Sequence, residues 1–487
     1  MKLLQQNYFI LTISALLIIL GLVVANTYLA FIITFILFVF ALLNKKQGLL
    51  ILVLIVSTRP FLTEMNPGYV IIGDLVIFGL LLRTFYDSRK NIKSLFSFHP
   101  FEWAFFAFIL IGTVSALITG VGIAALITQI RAYVLFYIVF YVAKRMVFQE
   151  RDVRQFAITT FIMAIILSLQ GYVEKISDKT MLMPKAWTEW YLSYTNHIRI
   201  YSLLKGPNEL SLFLIIAFIL ALYLLFRTSN IKYKVLIYMG LSIVGAAILL
   251  TYSRGALLCL AVFIPVYLLI SRKLKQLIPV LLVAIISAGI FVGVNQAADY
   301  YYDNVLYSDE DNEDFVDPDE MEEDEETTGN KGNHGSDRFK GAFSEDTIEQ
   351  SKSAGRIYYV DRAIAIFKDY PIIGAGFATF GGAATLKYSS PIYEDYDITR
   401  NFYSDNQYIL ILAETGVVGV LMLFALIVFL GIFVWKRRKH YFSPLMIFLF
   451  LSVIVGGMVY NILENDSFMF YFFATLGLAF QYKDLKE

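Results

Sequence analysis

The chain lacks most of what anchors a soluble fold. One cysteine, Cys259, occurs in 487 residues, so an intramolecular disulfide framework is excluded. Its thiol lies in an apolar stretch and reads as packing. The four histidines show no metal-ligand spacing, and neither a metal nor any other cofactor is expected. Charged residues make up only 16%, against roughly 25% in a soluble domain. Hydrophobic residues reach 58%, with a mean hydropathy of +0.65. This is the composition of an integral membrane protein. Lys and Arg balance Asp and Glu at 40 each, and nothing points to nucleic acid as a partner. No small-residue cleavage site follows the first apolar segment, so it is expected to remain as a span.

A spanning helix needs about 20 mostly apolar residues. Fourteen segments approach this: 8–24, 28–43, 48–58, 70–86, 103–119, 123–143, 154–174, 208–226, 233–251, 256–270, 277–293, 407–434, 443–461 and 467–482. The third and tenth are the weakest. Basic residues mark every second loop: Lys45 and Lys46; Arg83, Arg89, Lys90 and Lys93; Lys144, Arg145, Arg151 and Arg154. They continue with Arg227, Lys232 and Lys234, then Arg272, Lys273 and Lys275, then Lys436 to Lys439. Basic loops are retained in the cytoplasm, so this alternation predicts an all-α polytopic protein of about fourteen transmembrane helices, with both termini inside. The turns at 25–27, 120–122 and 462–466 lack Lys and Arg and fall outside.

The organisation follows. A seven-span region covers 1–174, an external loop 175–207, spans eight to eleven 208–293, a large extracytoplasmic loop between helices 11 and 12 294–406, and the last three spans with a cytoplasmic tail 407–487. The first loop carries Trp187, Trp190, Tyr191 and Tyr194. Thirteen Asp or Glu crowd 309–326 in the second, without the glycine an EF-hand requires. A like-charge block of this kind, here 308–335, reads as disordered. Residues 353–370 have the apolar spacing of an amphipathic helix lying over the membrane.

Several arginines break the positive-inside pattern: Arg59, Arg131, Arg199, Arg254, Arg356, Arg362 and Arg400. Arg254 occupies the short turn Tyr252-Ser253-Arg254-Gly255. Arg131 lies about nine residues into the sixth segment, roughly 13 Å below the surface at a helical rise of 1.5 Å. An intramembrane arginine is expensive unless it faces a polar cavity, and is a functional candidate by default. The alternative for each is snorkelling or pairing with a local carboxylate. Several cations near one membrane face suit an anion, and the guanidinium fork suits phosphate. Small-residue patches accompany them. Lys205-Gly206-Pro207-Asn208-Glu209 opens the eighth segment as a helix cap would. Pro371-Ile372-Ile373-Gly374-Ala375-Gly376-Phe377 forms a turn, and a lone Gly-x-Gly is weak evidence for phosphate. Glu414-Thr415-Gly416-Val417-Val418-Gly419 lies inside the twelfth segment, where small residues serve close packing but Glu414 is conspicuous.

In this order the motifs resemble the O-antigen ligase and polymerase superfamily of bacterial envelopes. The resemblance rests on Arg199 with Pro207-Asn208, Ser253-Arg254-Gly255-Ala256, Gly355-Arg356, Pro371-x-x-Gly374-x-Gly376, and Asp405-Asn406 with Ala413-Glu414-x-Gly416-x-x-Gly419. It covers about 199–420 and includes the large external loop. Length, span layout and acidic insertion are most similar to the branch that polymerises teichuronic acid. The resemblance implies a metal-independent glycosyltransferase of the bacterial cytoplasmic membrane, working at its outer face. Its partners would be the bilayer, an undecaprenyl-pyrophosphate-linked oligosaccharide and other polysaccharide-assembly proteins. Arg254 and Arg356 would be catalytic, with Asp405 or Glu414 as base. Arg131, Arg199, Asn208, Gly374, Gly376 and Asn406 would bind substrate. Ligases of the family carry His where Asp405 stands, which favours a polymerase over a ligase. A lipid-linked oligosaccharide flippase is the alternative of another class, but no internal repeat of the kind transporters show is evident.

Overall fold

The structure, a computed structural model, describes residues 2–190, 192, 194–272, 274–306, 356–440 and 442–481. Regular structure among the described residues is helical throughout. Before the large loop run α1 (Lys2–Val23), α2 (Thr27–Leu43), α3 (Lys45–Val56), α4 (Arg59–Met65), α5 (Ile72–Asp87), α6 (Pro100–Thr119), α7 (Ile123–Ala143) and α8 (Glu150–Ile176). The short α9 (Lys185–Thr188) and α10 (Tyr194–His197) follow, then α11 (Pro207–Arg227), α12 (Ile231–Leu250), α13 (Arg254–Ser271) and α14 (Leu277–Tyr301). After it come α15 (Arg356–Asp369), α16 (Gln407–Lys436), α17 (Ser443–Gly456) and α18 (Asp466–Gln481). Long apolar runs take this form because a helix satisfies its own backbone groups where water is absent. Polar residues mark the starts: Asn44, Asn230, Ser253 and Asn406 each accept backbone N–H groups of the helix they open.

Nine helical stretches among the described residues are long and apolar enough to cross a membrane. The pair α3–α4 is a tenth candidate, bent by 69°, and four further apolar helices are shorter. Helices therefore stand at all fourteen expected positions, but only nine reach a spanning length unaided. The third segment is where sequence and structure part. Read as one span over 48–58, it ends at Val56, and the chain turns sharply into α4. Ser57 and Thr58 turn their hydroxyls back onto the carbonyls of Val53 and Leu54 (2.8 and 2.7 Å), and Arg59-Pro60 starts the new direction.

Contacts sort the loops into two ends. At one, Lys45 pairs with Asp87 (2.8 Å), Lys46 with Asp152 (2.6 Å) and Arg227 with Glu150 (3.5 Å), while the Lys144 ammonium donates to the Ser97 carbonyl (2.9 Å). These are the basic loops. At the other, Arg59 meets Asp466, Gln129 meets Glu464, and Ser253 meets Tyr460. Between the ends the helices expose large apolar side chains such as Leu110, Leu281 and Ile285. Such a belt is characteristic of a surface facing lipid.

One departure from regular helix positions the candidate site. α16 breaks at Gly416 (φ 58°, ψ −162°). The segment 371–377 threads the gap. Ala375 and Gly376 donate to the carbonyls of Ala413 and Glu414 (2.9 and 2.8 Å), while Val417 and Val418 donate to those of Pro371 and Ile372 (2.9 and 3.0 Å). Backbone groups released in apolar surroundings must find partners, and here the loop supplies four. Phe377 N–H then reaches the Gly112 carbonyl of α6 (3.0 Å), and the Ser115 hydroxyl holds that of Gly374.

Candidate active site

The basic-poor end gathers polar side chains from distant parts of the chain. Arg199 is buried and its guanidinium is held by neutral oxygens: Nε donates to the Thr251 carbonyl (2.8 Å), Nη1 to Asn196 Oδ1 (3.3 Å) and Nη2 to Asn208 Oδ1 (2.6 Å). Asn208 Oδ1 also accepts from the Ser253 hydroxyl (3.1 Å), which meets the Tyr460 hydroxyl at 2.7 Å. Two side chains thus converge on one amide in the first turn of α11, and Tyr460 joins them through Ser253. Arg254 follows Ser253, is exposed, and makes no ion pair among the described residues. Tyr252 before it takes a left-handed conformation (φ 47°), which a tyrosine adopts only at a cost. The turn therefore fixes Ser253 inward and leaves Arg254 outward.

The backbone around Arg199 has its own anchor. Glu174, fully buried at the end of α8, accepts from the Lys179 ammonium (2.6 Å) and from the backbone N–H groups of Tyr201 and Ser202 (3.1 and 2.6 Å). Lys179 also donates to the Arg199 carbonyl (2.6 Å) and lies 4.2 Å from the centre of the Tyr201 ring.

Arg131 belongs to a second group. Its Nε and Nη2 make a bidentate pair with Asp74, 2.7 Å each. Arg59 approaches Asp74 at 3.9 Å and pairs with Asp466 at 2.6 Å. Two arginines and two aspartates cancel formally. Tyr403 and the half-buried Glu209 stand near Asp466 of this group. Tyr403 is 38% exposed, yet its hydroxyl is held far above the usual phenol range, by burial first and then by the charges of Glu464, Glu209, Asp466 and Asp405. Asp405 is exposed, and Asn406 caps α16, its Oδ1 accepting from the N–H groups of Tyr408 and Ile409 (3.0 and 3.2 Å).

Two buried carboxylates hold the loop that follows the threaded segment. Glu414 is fully buried, and its Oε1 accepts from the N–H groups of Thr379 and Phe380, 3.1 Å each. Its Oε2 has no hydrogen-bond partner among the described residues. Glu464 accepts from Gln129 Nε2 (2.6 Å), the Tyr133 hydroxyl (2.9 Å) and the Ala383 N–H (2.6 Å). Burial raises its pKa above the ordinary carboxylate value, against the pull of the Gln129, Tyr133, Asn461 and Ala383 hydrogen bonds.

The expected site residues therefore divide. Arg199, Asn208 and Arg254 come together. Arg131 lies at the same end, neutralised by Asp74. Asp405 lies near Tyr403, and Asn406 caps α16. Arg356 opens α15, whose Ala363 and Ile366 pack into a small core with Leu410 and Ala413 of α16. Gly374 and Gly376 are packed against backbone instead of facing a ligand. A Cβ on Gly374 would stand 2.2 Å from the Thr415 nitrogen, and one on Gly376 2.1 Å from the Ala116 nitrogen. The Gly376 N–H is taken by a protein carbonyl as described, and the Gly374 N–H by that of Tyr370 (3.1 Å). The acidic run 308–335 lies outside the described residues. Glu174, Lys179, Tyr403, Tyr460 and Glu464 escaped the sequence reading. For Glu464, a carboxylate in the polar turn between the last two apolar segments is the available signal.

Residues 239–424 match a family model described as O-Antigen ligase. This is less than half of the chain. It contains Ser253-Arg254, the threaded segment, Asp405-Asn406 and Glu414, and excludes Arg131, Arg199 and Asn208. The match supports the O-antigen ligase/polymerase superfamily, whose ligases and polymerases act on lipid-linked glycans in cell-envelope assembly. No curated protein matches the chain.

Proposed function

We propose that this chain is a glycosyltransferase that polymerises undecaprenyl-pyrophosphate-linked repeat units at the outer face of the bacterial cytoplasmic membrane, with teichuronic acid as the product its sequence resemblance favours. The observation that supports this most is the pairing of exposed Arg254 with buried Arg199 through Ser253 and Asn208, within and beside the matched segment. The basic loops at the opposite end favour this end as external.

In this reading the acceptor hydroxyl attacks the anomeric carbon of the lipid-linked sugar. The C–O bond to pyrophosphate breaks and its electron pair leaves with the phosphate. Arg254 and Arg199 stabilise the charge that develops there, with Arg356 as a third cation. Asn208 orients Arg199. Asp405 takes the hydroxyl proton, a positioned base contributing about 10²–10⁴-fold. Glu414 is assigned a supporting role, because it is sealed from solvent and holds Thr379 and Phe380. Gly374 and Gly376 serve the crossing of α16. A ligase passing the glycan to another acceptor would use the same groups; the aspartate at 405 favours polymerisation.

Purified protein in lipid vesicles, given an undecaprenyl-pyrophosphate-linked repeat unit, is expected to yield a ladder of longer lipid-linked glycans on a gel. Arg254→Ala should abolish the ladder while the protein still inserts. A normal ladder from that variant would overturn the assignment.

A further inference from the structure

The loop between α8 and α11 folds its aromatic residues into a cluster that the proposed chemistry does not use. Trp187 is 1% exposed, wedged against Phe61 of α4 and Tyr201. Trp190 stacks on Trp187 with centroids 5.4 Å apart and remains partly exposed. Lys205 places its ammonium 4.7 Å from the Trp190 ring centre and 3.4 Å from Glu64 Oε2. That same carboxylate oxygen accepts from Trp187 Nε1 (3.1 Å). Lys205 is 47% exposed and Glu64 30%, so both keep hydrogen-bonding capacity toward solvent. Lys205 and Ser202 both hold left-handed backbone conformations (φ 65° and 51°). Such outliers persist where surrounding structure fixes them. Behind the rings, the buried Tyr201 hydroxyl has no partner among the described residues.

We infer that Trp190, Lys205 and Glu64 form a sugar-binding subsite for the glycan being extended. A pyranose presents a flat C–H face and a rim of hydroxyls that both donate and accept. The indole of Trp190 matches the face. An ammonium, with donors only, beside a carboxylate, with acceptors only, matches two neighbouring hydroxyls. The Lys–Glu pair is neutral overall, so it selects hydroxyl geometry over charge. A lipid-facing interface tryptophan would need none of this, and Trp187 gives its N–H to Glu64 instead of to a headgroup. The subsite adjoins the arginine site, since Arg199 and Lys205 flank the single short turn Ser202–Leu204. A glycan whose pyrophosphate sits at Arg199 and Arg254 has its sugars beside Trp190. The identity of the glycan rests on the function proposed above; the sugar-binding geometry does not.

The test is saturation-transfer NMR on the full-length protein in detergent, with methyl glycosides of glucose, galactose and mannose as probes. Saturation should concentrate on C–H protons of one ring face. Trp190→Ala should weaken binding about ten-fold, Trp190→Phe less, and Lys205→Ala should remove preference among hydroxyl configurations. No saturable binding of any glycoside, or equal binding by wild type and Trp190→Ala, would overturn the subsite. If Trp190→Ala fails to fold, Trp190→Phe and Lys205→Ala decide by the same readout. Trp190-dependent binding in a protein that forms no ladder would leave the subsite standing and refute the polymerase reading. A ladder whose KM ignores Trp190→Ala would do the reverse.

Discussion

Glu174 is the place to ask whether the arginine site is held by its loop or merely passes through it. The carboxylate is fully buried and receives Lys179 and two backbone N–H groups. Glu174→Ala strands an ammonium whose side chain is only 8% exposed, together with the amides of Tyr201 and Ser202. Breaking a buried pair from one side costs about 3–5 kcal/mol, or two to four orders of magnitude in the unfolding equilibrium. The Arg199 carbonyl stays 2.6 Å from Lys179 and the Tyr201 ring 4.2 Å away, which places the loss at the lower end. Lys179→Ala leaves Glu174 its two amides and should cost about 1–3 kcal/mol. The double variant has no stranded charge. It should therefore fall short of the sum of the single losses by about 1–3 kcal/mol. Cys259 provides the assay. It is the only cysteine and fully buried in α13. A thiol-reactive fluorophore therefore reports unfolding of each variant on heating, without further labelling. Strict additivity, or a Glu174→Ala variant as stable as wild type, would refute the reasoning.

The other expectations concern the threaded loop. Gly376→Ala puts a Cβ 2.1 Å from the Ala116 backbone at φ 102°, so it should lose folded protein outright, measured as yield of detergent-stable monomer. A variant that folds normally but turns over poorly would instead restore a ligand role for this glycine. Glu414→Ala orphans the Thr379 and Phe380 amides and should cost about 1–3 kcal/mol on the same thermal scale. Glu414→Gln keeps an acceptor and should retain activity, and its complete inactivity in the vesicle assay would return Glu414 to the role of base. Glu464 supplies a pH dependence. Its pKa is raised in the fold, so the native state holds the proton more tightly than the unfolded chain. Stability from this group is then full below the ordinary glutamate value and is lost as pH rises through the folded value. Thermal unfolding from pH 4 upward should show this decline in wild type, and Glu464→Gln should flatten it. An unchanged slope would remove Glu464 as its source.

The spanning helices were legible because each is a long apolar run, and most of their ends fall within a few residues of the segments read from sequence, although α14 runs eight residues past its segment to Tyr301 and α17 stops five short at Gly456. Helix 353–370 is found as Arg356–Asp369. The two departures have different causes. A glycine in an apolar helix serves either close packing or a backbone turn that other residues resist, and sequence does not separate these. Gly416 was read as the first and is the second. The bend after Val56 carried its signal in Ser57-Thr58-Arg59-Pro60, polar and proline-marked, inside an interval assigned to one span. Partners were the least legible part. Asp74 meets Arg131 and Asp466 meets Arg59 from far along the chain, and nothing local announces either pair.

Those partners give the exceptional arginines different meanings. An arginine at a basic-poor end opposes the insertion bias, and the opposition can be met by a carboxylate or by a ligand. Arg59 and Arg131 are met by carboxylates, in a group whose formal charges cancel and which ties α4, α5 and α7 to the start of α18. Arg199 donates to a carbonyl and two amide oxygens, which fix its direction, and Arg254 points outward from a strained turn. A site for an anion needs positive charge that the protein has oriented but not neutralised. The carboxylate pairs mark Arg59 and Arg131 as braces between helices, and the proposed function places its anion at exposed Arg254 with Arg199 beside it. Burial alone would have ranked them differently, because Arg131 is more exposed than Arg199.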